Sequence, residues 1–454
     1  MRTIHPGMLL ACFMFLPVSA LAQDDPGGDI EQLRKELQQL RQDYEQRLAD
    51  LEQRLEAAEA QASRAESQAE AAQVAQAPPP QPSSSSVISK DFNPAIGVIF
   101  SGQASFYDQN PEDYYIPGFP LGGEAGPAPE GLALGETEID MNANIDDWFT
   151  GWLTVPITVE DGDVNVELEE AWIETLSLPA GLAVRMGRMF SNIGYLNQQH
   201  SHTWDFTDQP LPYQAFLGGQ YIDDGLEVRW VAPLDIYLEL SAETLRGDRY
   251  PAAGAQNSGF GSWTLHALAG GDVGLSNYWQ VGLSWLSADS AERPSGGGQD
   301  PLLFTGNTDL GIAEFVWKWA PNGNWRQSNF KFQTEYLWRK EDGRYALPDG
   351  PELPWNVDQQ GWYAQAVYQP FPHWRFGARY DALSSDQPGL AFADTPLAVY
   401  GSDPKRYSIM ADFSRSEFSR LRLQYTDDQA VPGDDQQWVL QYIFSMGAHG
   451  AHTF

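Results

Sequence analysis

The sequence is poor in positive charge, holds one cysteine and lacks any long apolar run. Its 454 residues carry 27 Lys and Arg against 62 Asp and Glu, a formal net charge of −35. That shortage of bases excludes a nucleic-acid-binding protein, because affinity for phosphate backbones is supplied by Lys and Arg. The only cysteine, Cys12, sits inside an apolar N-terminal stretch. A chain processed after that stretch has no disulfide and no thiolate metal ligand. Leu9-Leu10-Ala11-Cys12 has the outline of a lipid-attachment signal, but Phe13 to Leu16 continue the apolar run where a lipidated chain turns polar. Mean hydropathy is −0.41. No stretch reaches the about 20 consecutive apolar residues that a membrane-spanning helix needs.

Aromatic residues are plentiful at 13%, with 16 Trp and 19 Tyr, alongside 42 Gly. They recur in short alternating segments between about residues 95 and 454. In 436–444, Trp438, Leu440, Tyr442 and Phe444 share one face, and Gln437, Val439, Gln441 and Ile443 the other. A period of two is that of a β-strand, and a face this aromatic suits a strand turned toward lipid.

Before these segments the chain has a different character. Arg2, the apolar run Met8 to Val18 and the small-residue pattern Ala20-Leu21-Ala22 predict a secretory signal peptide over 1–22. Residues 23–76 predict a coiled coil. Its seam is Ile30, Leu33, Leu37, Leu40, Tyr44, Leu48, Leu51, Leu55, Ala58 and Ala62, a heptad with one four-residue stutter near Tyr44. So narrow a stripe on one helix would be buried only by self-association. Residues 77–91 are rich in Pro, Gln and Ser, an extended linker.

From 92 onward the expected fold is an all-β transmembrane antiparallel barrel of about sixteen strands, with the coiled coil on its periplasmic side. The strands fall near 95–107, 135–145, 149–159, 164–176, 182–189, 226–231, 234–245, 261–270, 277–288, 308–319, 328–339, 361–369, 374–383, 405–414, 418–427 and 436–446. Connections after odd strands tend to be long and those after even strands short, apart from a brief one after the third. Outer-membrane barrels show this asymmetry, with the short turns periplasmic. An even count places both termini in the periplasm.

Thirteen acids and eight bases lie before residue 91, so 49 acids and 19 bases remain in the barrel region. Glu136, Glu138, Asp140, Asn142 and Asn144 share one strand face, as do Asn165, Glu167 and Glu169. Carboxylates facing lipid are costly, so Glu136, Glu138, Asp140, Asn142, Glu167 and Glu169 are expected to line an acidic, cation-preferring lumen.

The layout resembles bacterial outer-membrane porins, in particular the phosphate-selective-porin-like group with an N-terminal coiled coil. The residues that carry the resemblance are the Leu heptads at 30–55, Ile96-Gly97-Val98-Ile99-Phe100-Ser101-Gly102, Gly187-Arg188-Met189-Phe190 running into Gly194, and Phe454. Phe92-Asn93-Pro94-Ala95-Ile96, Gly194-Tyr195-Leu196-Asn197, Trp204-Asp205-Phe206 and the tail from Gly447 to His452 are similar to uncharacterised outer-membrane proteins described as zinc-regulated or receptor-like. The resemblance implies a passive channel for small hydrophilic solutes or cations, a monomer or a trimer, embedded in outer-membrane lipid. It does not carry phosphate selectivity, since clustered lumen bases are not evident in the sequence. A TonB-dependent receptor is a poor match, because coil and linker occupy the place of a plug domain.

His200 and His202 flank Ser201 in the longest connection, and His449 and His452 lie in the tail. Paired imidazoles are candidate zinc ligands, which makes a metal-binding or metal-uptake receptor the alternative function; otherwise no cofactor is expected. Asp205 stands near His202, but no nucleophile elbow accompanies them, so no enzyme is expected. The connection 190–221 is rich in aromatics and stiffened by Pro210 and Pro212. It is expected to fold into the lumen and bring His200, His202, Asp205 and Asp208 to a constriction. Deleting residues 24–86 should leave a barrel that still folds and conducts, checked by heat-modifiable gel mobility and bilayer recording. Loss of oligomers in the deletion would mark the coil as an assembly device.

Overall fold

The computed structural model describes residues 94–447 apart from 161–162, 254–258, 296–300, 348–349 and 400–402. The expected signal peptide, coiled coil and linker, together with His449, His452 and Phe454, lie outside these described residues. The strands are β1 (Ala95–Phe106), β2 (Gly131–Leu134), β3 (Thr137–Asn144), β4 (Phe149–Glu160), β5 (Asp163–Val166), β6 (Glu170–Thr175), β7 (Leu182–Phe190), β8 (Ile222–Val231) and β9 (Tyr237–Leu245). They continue as β10 (Ser262–Val273), β11 (Asn277–Ser295), β12 (Leu302–Trp319), β13 (Asn329–Ala346), β14 (Glu352–Phe371), β15 (Trp374–Ser385), β16 (Lys405–Ser416), β17 (Ser419–Asp428) and β18 (Asp435–Gly447).

All pairings are antiparallel, and β18 closes on β1 with Phe100 opposite Phe444 and Phe106 opposite Trp438. β2 and β3 both pair with β1, and β5 and β6 both pair with β4. Each couple is therefore one wall strand with a break, and the barrel has sixteen staves. The two breaks flank β4. Pro156 of β4 offers no N–H to a ladder, while its carbonyl accepts from the Glu167 amide at 3.2 Å. On the other side of β4, Pro156 stands opposite Glu138. Strict alternation lapses at both breaks, which hold Glu136 and Glu167 to Glu169.

β11 to β14 run further than the sequence pattern indicates. The Gly-, Asp- and Ser-containing ends of these strands read as loop, but they continue as paired hairpins. Phe304, Tyr345 and Trp355 bury there against Phe392 of the 386–404 connection, which gives the extensions a core of their own. β8 starts at Ile222 rather than 226, and β9 at Tyr237 rather than 234.

The outer face is apolar and ordered in rows. Trp438, Leu440, Tyr442 and Phe444 of β18 are exposed, while Val439 and Ile443 between them are buried. One aromatic row joins Tyr425–Trp438, Tyr380–Tyr407 and Trp362–Tyr380, with ring centroids 4.8, 4.9 and 5.2 Å apart. A second row, nearer the short turns, includes Trp374–Phe413 at 5.0 Å and Trp317–Phe330 at 5.5 Å.

The connection 191–221 folds into the lumen. It contains one α-helix, α1 (Leu211–Leu217), whose seven residues are all buried. Pro212 suits the first turn, and Gly218 ends the helix in the left-handed conformation (φ 66°) that favours glycine. Gly194 (φ 68°) is required twice over. A side chain there would collide with the Tyr213 hydroxyl and the Glu335 carboxylate, the latter of which accepts from the Tyr195 amide at 2.9 Å.

Ion pairs fasten the loop to the inner wall. Asp205 meets Lys331 at 3.0 Å and Arg375 at 2.9 Å. Asp208 meets Arg379 and Arg406, each at 2.8 Å. Burial alone would raise both aspartate pKa values; the adjacent Lys331 and Arg375, and Arg379 and Arg406, outweigh it and hold both carboxyls below the ordinary range. The lumen is thus not uniformly acidic, as the strand patterns suggest. Lys331, Arg375, Arg379, Arg406, Arg420 and Arg422 lie on strands β13 to β17, whereas Glu138, Asp140, Glu170, Glu227, Glu239 and Glu243 are buried on β3 to β9, where Arg185 and Arg229 pair with Glu174, Glu227 and Glu239.

Carboxylates with depressed pKa values hold their contribution above the unfolded value of about 3.9 and lose it only as pH falls through the folded value. After correction for the intrinsic pH dependence of amide exchange, the protection of residues 205–209 around these two carboxylates should therefore not change between pH 7 and pH 5. Asp208→Ala should loosen this segment alone by about 1–3 kcal/mol, seen as faster exchange there with unchanged heat-modifiable mobility of the barrel.

Candidate carboxylate–histidine site

The residues Ser201 to Thr203 form one 3-10 turn. The Thr203 amide and hydroxyl both donate to the His200 carbonyl, at 2.9 and 2.8 Å. The Trp204 indole N–H donates to the Gln199 carbonyl at 2.7 Å. Arg422 holds the following carbonyl, of Trp204, at 2.7 Å. The turn is thereby pressed against the two wall breaks beside β4.

Three successive side chains then meet carboxylates. His200 Nε2 lies 3.0 Å from Glu170 Oε2. Its Nδ1 lies 3.1 Å from Glu169 Oε2 and 3.5 Å from Glu138 Oε2, outside hydrogen-bond geometry. The Ser201 hydroxyl donates to Glu136 Oε2 at 2.6 Å. His202 Nδ1 is 2.8 Å from Glu138 Oε1. The two imidazoles stack 5.6 Å apart, and the Phe190 ring meets His200 edge-on at 5.3 Å. Burial would lower the His200 pKa; the surrounding Glu169, Glu170 and Glu138 more than compensate and raise it well above the ordinary histidine value.

Two cavities flank this cluster. The larger, about 1390 Å³, opens among the short turns and is lined by His200, His202, Asp140, Asn192 and Tyr195 among others. The smaller, about 280 Å³, lies among the long connections and is lined by Glu136, Glu167, Glu169, Arg249 and Arg293. Glu169 belongs to one and His200 to the other, so the cluster stands at the partition.

Of the residues singled out in the sequence, Glu136, Glu138, Glu169, His200 and His202 come together here. Asp140 lies one alternation below Glu138, accepting from Thr154 at 2.9 Å. Asn142 is further down β3, opposite Trp152, and is not in the cluster. Glu167 is exposed on the smaller cavity. Asp205 and Asp208 serve the opposite, basic wall. Sequence reasoning missed Glu170, because strict alternation sends it to the face opposite Glu169; the wall break lets both turn inward. It also missed Glu243, which accepts from the Asn192 amide at 2.7 Å and from the Ser191 hydroxyl. Alternation with Glu239 and Ser241 puts Glu243 on the polar face of its strand, but the sequence holds no sign of its pairing with the start of the loop.

No family model matches the chain. Among solved structures, the outer membrane channel DcaP of Acinetobacter baumannii superposes with a TM-score of 0.50 at 14% identity, over 78% of this chain and 97% of that one. The loop-deletion form of OmpT, an outer membrane protein of Vibrio cholerae, gives a TM-score of 0.49 at 10% identity, over 78% and 99%. At such identities the DcaP likeness establishes the fold alone. By sequence, an uncharacterized protein of Aquifex aeolicus is 30% identical over 345 residues, covering 71% of this chain and 70% of the relative. An identity of that level over so much of both sequences means that this chain belongs to the same family as the Aquifex aeolicus protein.

Proposed function

We propose that the protein is an outer-membrane channel for small hydrophilic solutes that favours cations. The observation that carries the reading is the partitioned lumen: a closed barrel of sixteen staves encloses cavities on both sides of an inward-folded loop. Sixteen-stranded barrels are wide enough for an aqueous passage. The exposed apolar face with its two aromatic rows has the form of a lipid-facing belt with girdles, which supports a place in the outer membrane. The DcaP channel offers the same fold, and its role as a channel agrees with this reading.

Cation preference follows from how the charges are used. On the basic wall, Arg375 pairs with Asp412 as well as Asp205, Arg379 with Asp381 and Arg406 with Asp428. Those bases are largely neutralised where they stand. On the acidic wall, Glu169 and Glu170 meet a histidine, and Glu136 meets a serine hydroxyl. Negative charge therefore remains beside the smaller cavity, where Glu124, Glu136, Glu167 and Glu169 stand against Arg249 and Arg293, and a low-dielectric wall focuses its field on a passing ion.

Planar-bilayer recordings with a chelator present, so that bound metal plays no part, should show open channels with cation over anion selectivity. Combined Glu136→Gln, Glu138→Gln and Asp140→Asn substitution should move the reversal potential toward zero. A silent protein, or one that selects anions, contradicts the reading.

A further inference from the structure

We propose that Glu138, Glu169 and His200 form a site for a divalent transition metal of the zinc class at the partition between the two cavities. One ligand atom from each residue, Glu138 and Glu169 carboxylate oxygens and a His200 ring nitrogen, lies within 4.8 Å of the other two. His200 Nδ1 is 3.1 Å from Glu169 Oε2 and 3.5 Å from Glu138 Oε2. Tetrahedral ligands at about 2.0–2.1 Å from zinc are separated by roughly 3.3 Å. The two spacings from His200 bracket that edge, and the third, between the Glu138 and Glu169 carboxylates, lies within 4.8 Å.

The atoms around the site are directed for the purpose. His200 Nδ1 and Glu169 Oε2 have no hydrogen-bond partner among the described residues. His200 Nε2 is held by Glu170 at 3.0 Å, the arrangement in which a carboxylate takes one ring N–H and the other nitrogen ligates once the metal displaces its proton. His202 holds the second oxygen of Glu138 at 2.8 Å and so orients a ligand rather than acting as one. The backbone turn of Ser201 to Thr203 fixes the imidazole against the wall, so the site joins the loop to two different wall strands.

The donor set selects the class of metal. Calcium and magnesium take six or more oxygens or retain several waters. One imidazole with two carboxylates suits zinc and its transition-metal neighbours. Three protein ligands leave a fourth position for water or a passing group. With Glu169 on the smaller cavity and His200 on the larger, a metal here sits where the two spaces adjoin.

Binding does not depend on conduction, so a protein that is silent in bilayers tests this site equally well. Full-length refolded protein, stripped with chelator and titrated with zinc chloride in a calorimeter, should bind one zinc per chain at high affinity. A large excess of calcium should not displace it. His200→Ala and Glu169→Gln should each abolish that binding, and Glu170→Gln should weaken it about 10–100-fold. The His449→Ala, His452→Ala double variant should bind as wild type. Heat-modifiable mobility reports whether each variant still folds. X-ray absorption of the loaded wild-type protein, which needs no variant, should show nitrogen and oxygen ligands with a single imidazole. Absence of stoichiometric zinc binding, unaltered binding by folded His200→Ala, displacement by calcium, or a spectrum with two or more imidazoles would each overturn the assignment.

Discussion

Closure of β18 on β1 is the constraint on which everything else in this molecule depends. Backbone N–H and C=O groups in lipid have no water to bond with, so a sheet that spans a bilayer must leave no open edge. Once closed, every strand has an inner and an outer face, and each side chain is assigned to one by parity. Trp438 and Leu440 go out, and Gln437 and Gln441 go in. The same parity gathers the carboxylates of β3, β6, β8 and β9 on one inner wall and the bases of β13 to β17 on the other.

A lumen with opposed walls would repel like charges within each half if it were left open. The 191–221 connection relieves the basic half. Asp205 and Asp208 each bridge two bases from different strands, and aromatic and aliphatic residues around α1 bury against Leu286, Ile312, Leu337 and Tyr363 of the wall. The loop is therefore asymmetric in its attachment. Its aspartates neutralise the basic wall, whereas its histidines approach the acidic wall and leave much of that wall's charge in place.

The acidic wall gains its chemistry from defects in the ladder. Pro156 offers no N–H, and the strands on both sides of it are interrupted. At the second interruption the adjacent Glu169 and Glu170 both turn inward, which an unbroken alternation forbids, and they join Glu136 and Glu138 from the first. A local failure of pairing thus gathers carboxylates that the loop's Ser201, His200 and His202 then meet. Such breaks are common where a sheet must redirect side chains.

The sequence by itself determined the barrel. Period-two segments, an apolar aromatic face and the alternation of long and short connections give the number of staves, because those signals are local and each strand carries its own. The acidic face of β3 and the aromatic character of the long loop were legible for the same reason. Only the tertiary structure decided which carboxylates meet which histidines, that the bases of β15 to β17 form a second wall, that Glu170 faces inward and that Glu243 meets the start of the loop. Asp208 and Arg406, or His200 and Glu138, lie far apart in the chain, and nothing local records their meeting. That pairing is set by barrel closure, by the two breaks beside Pro156 and by the path of the loop through the lumen.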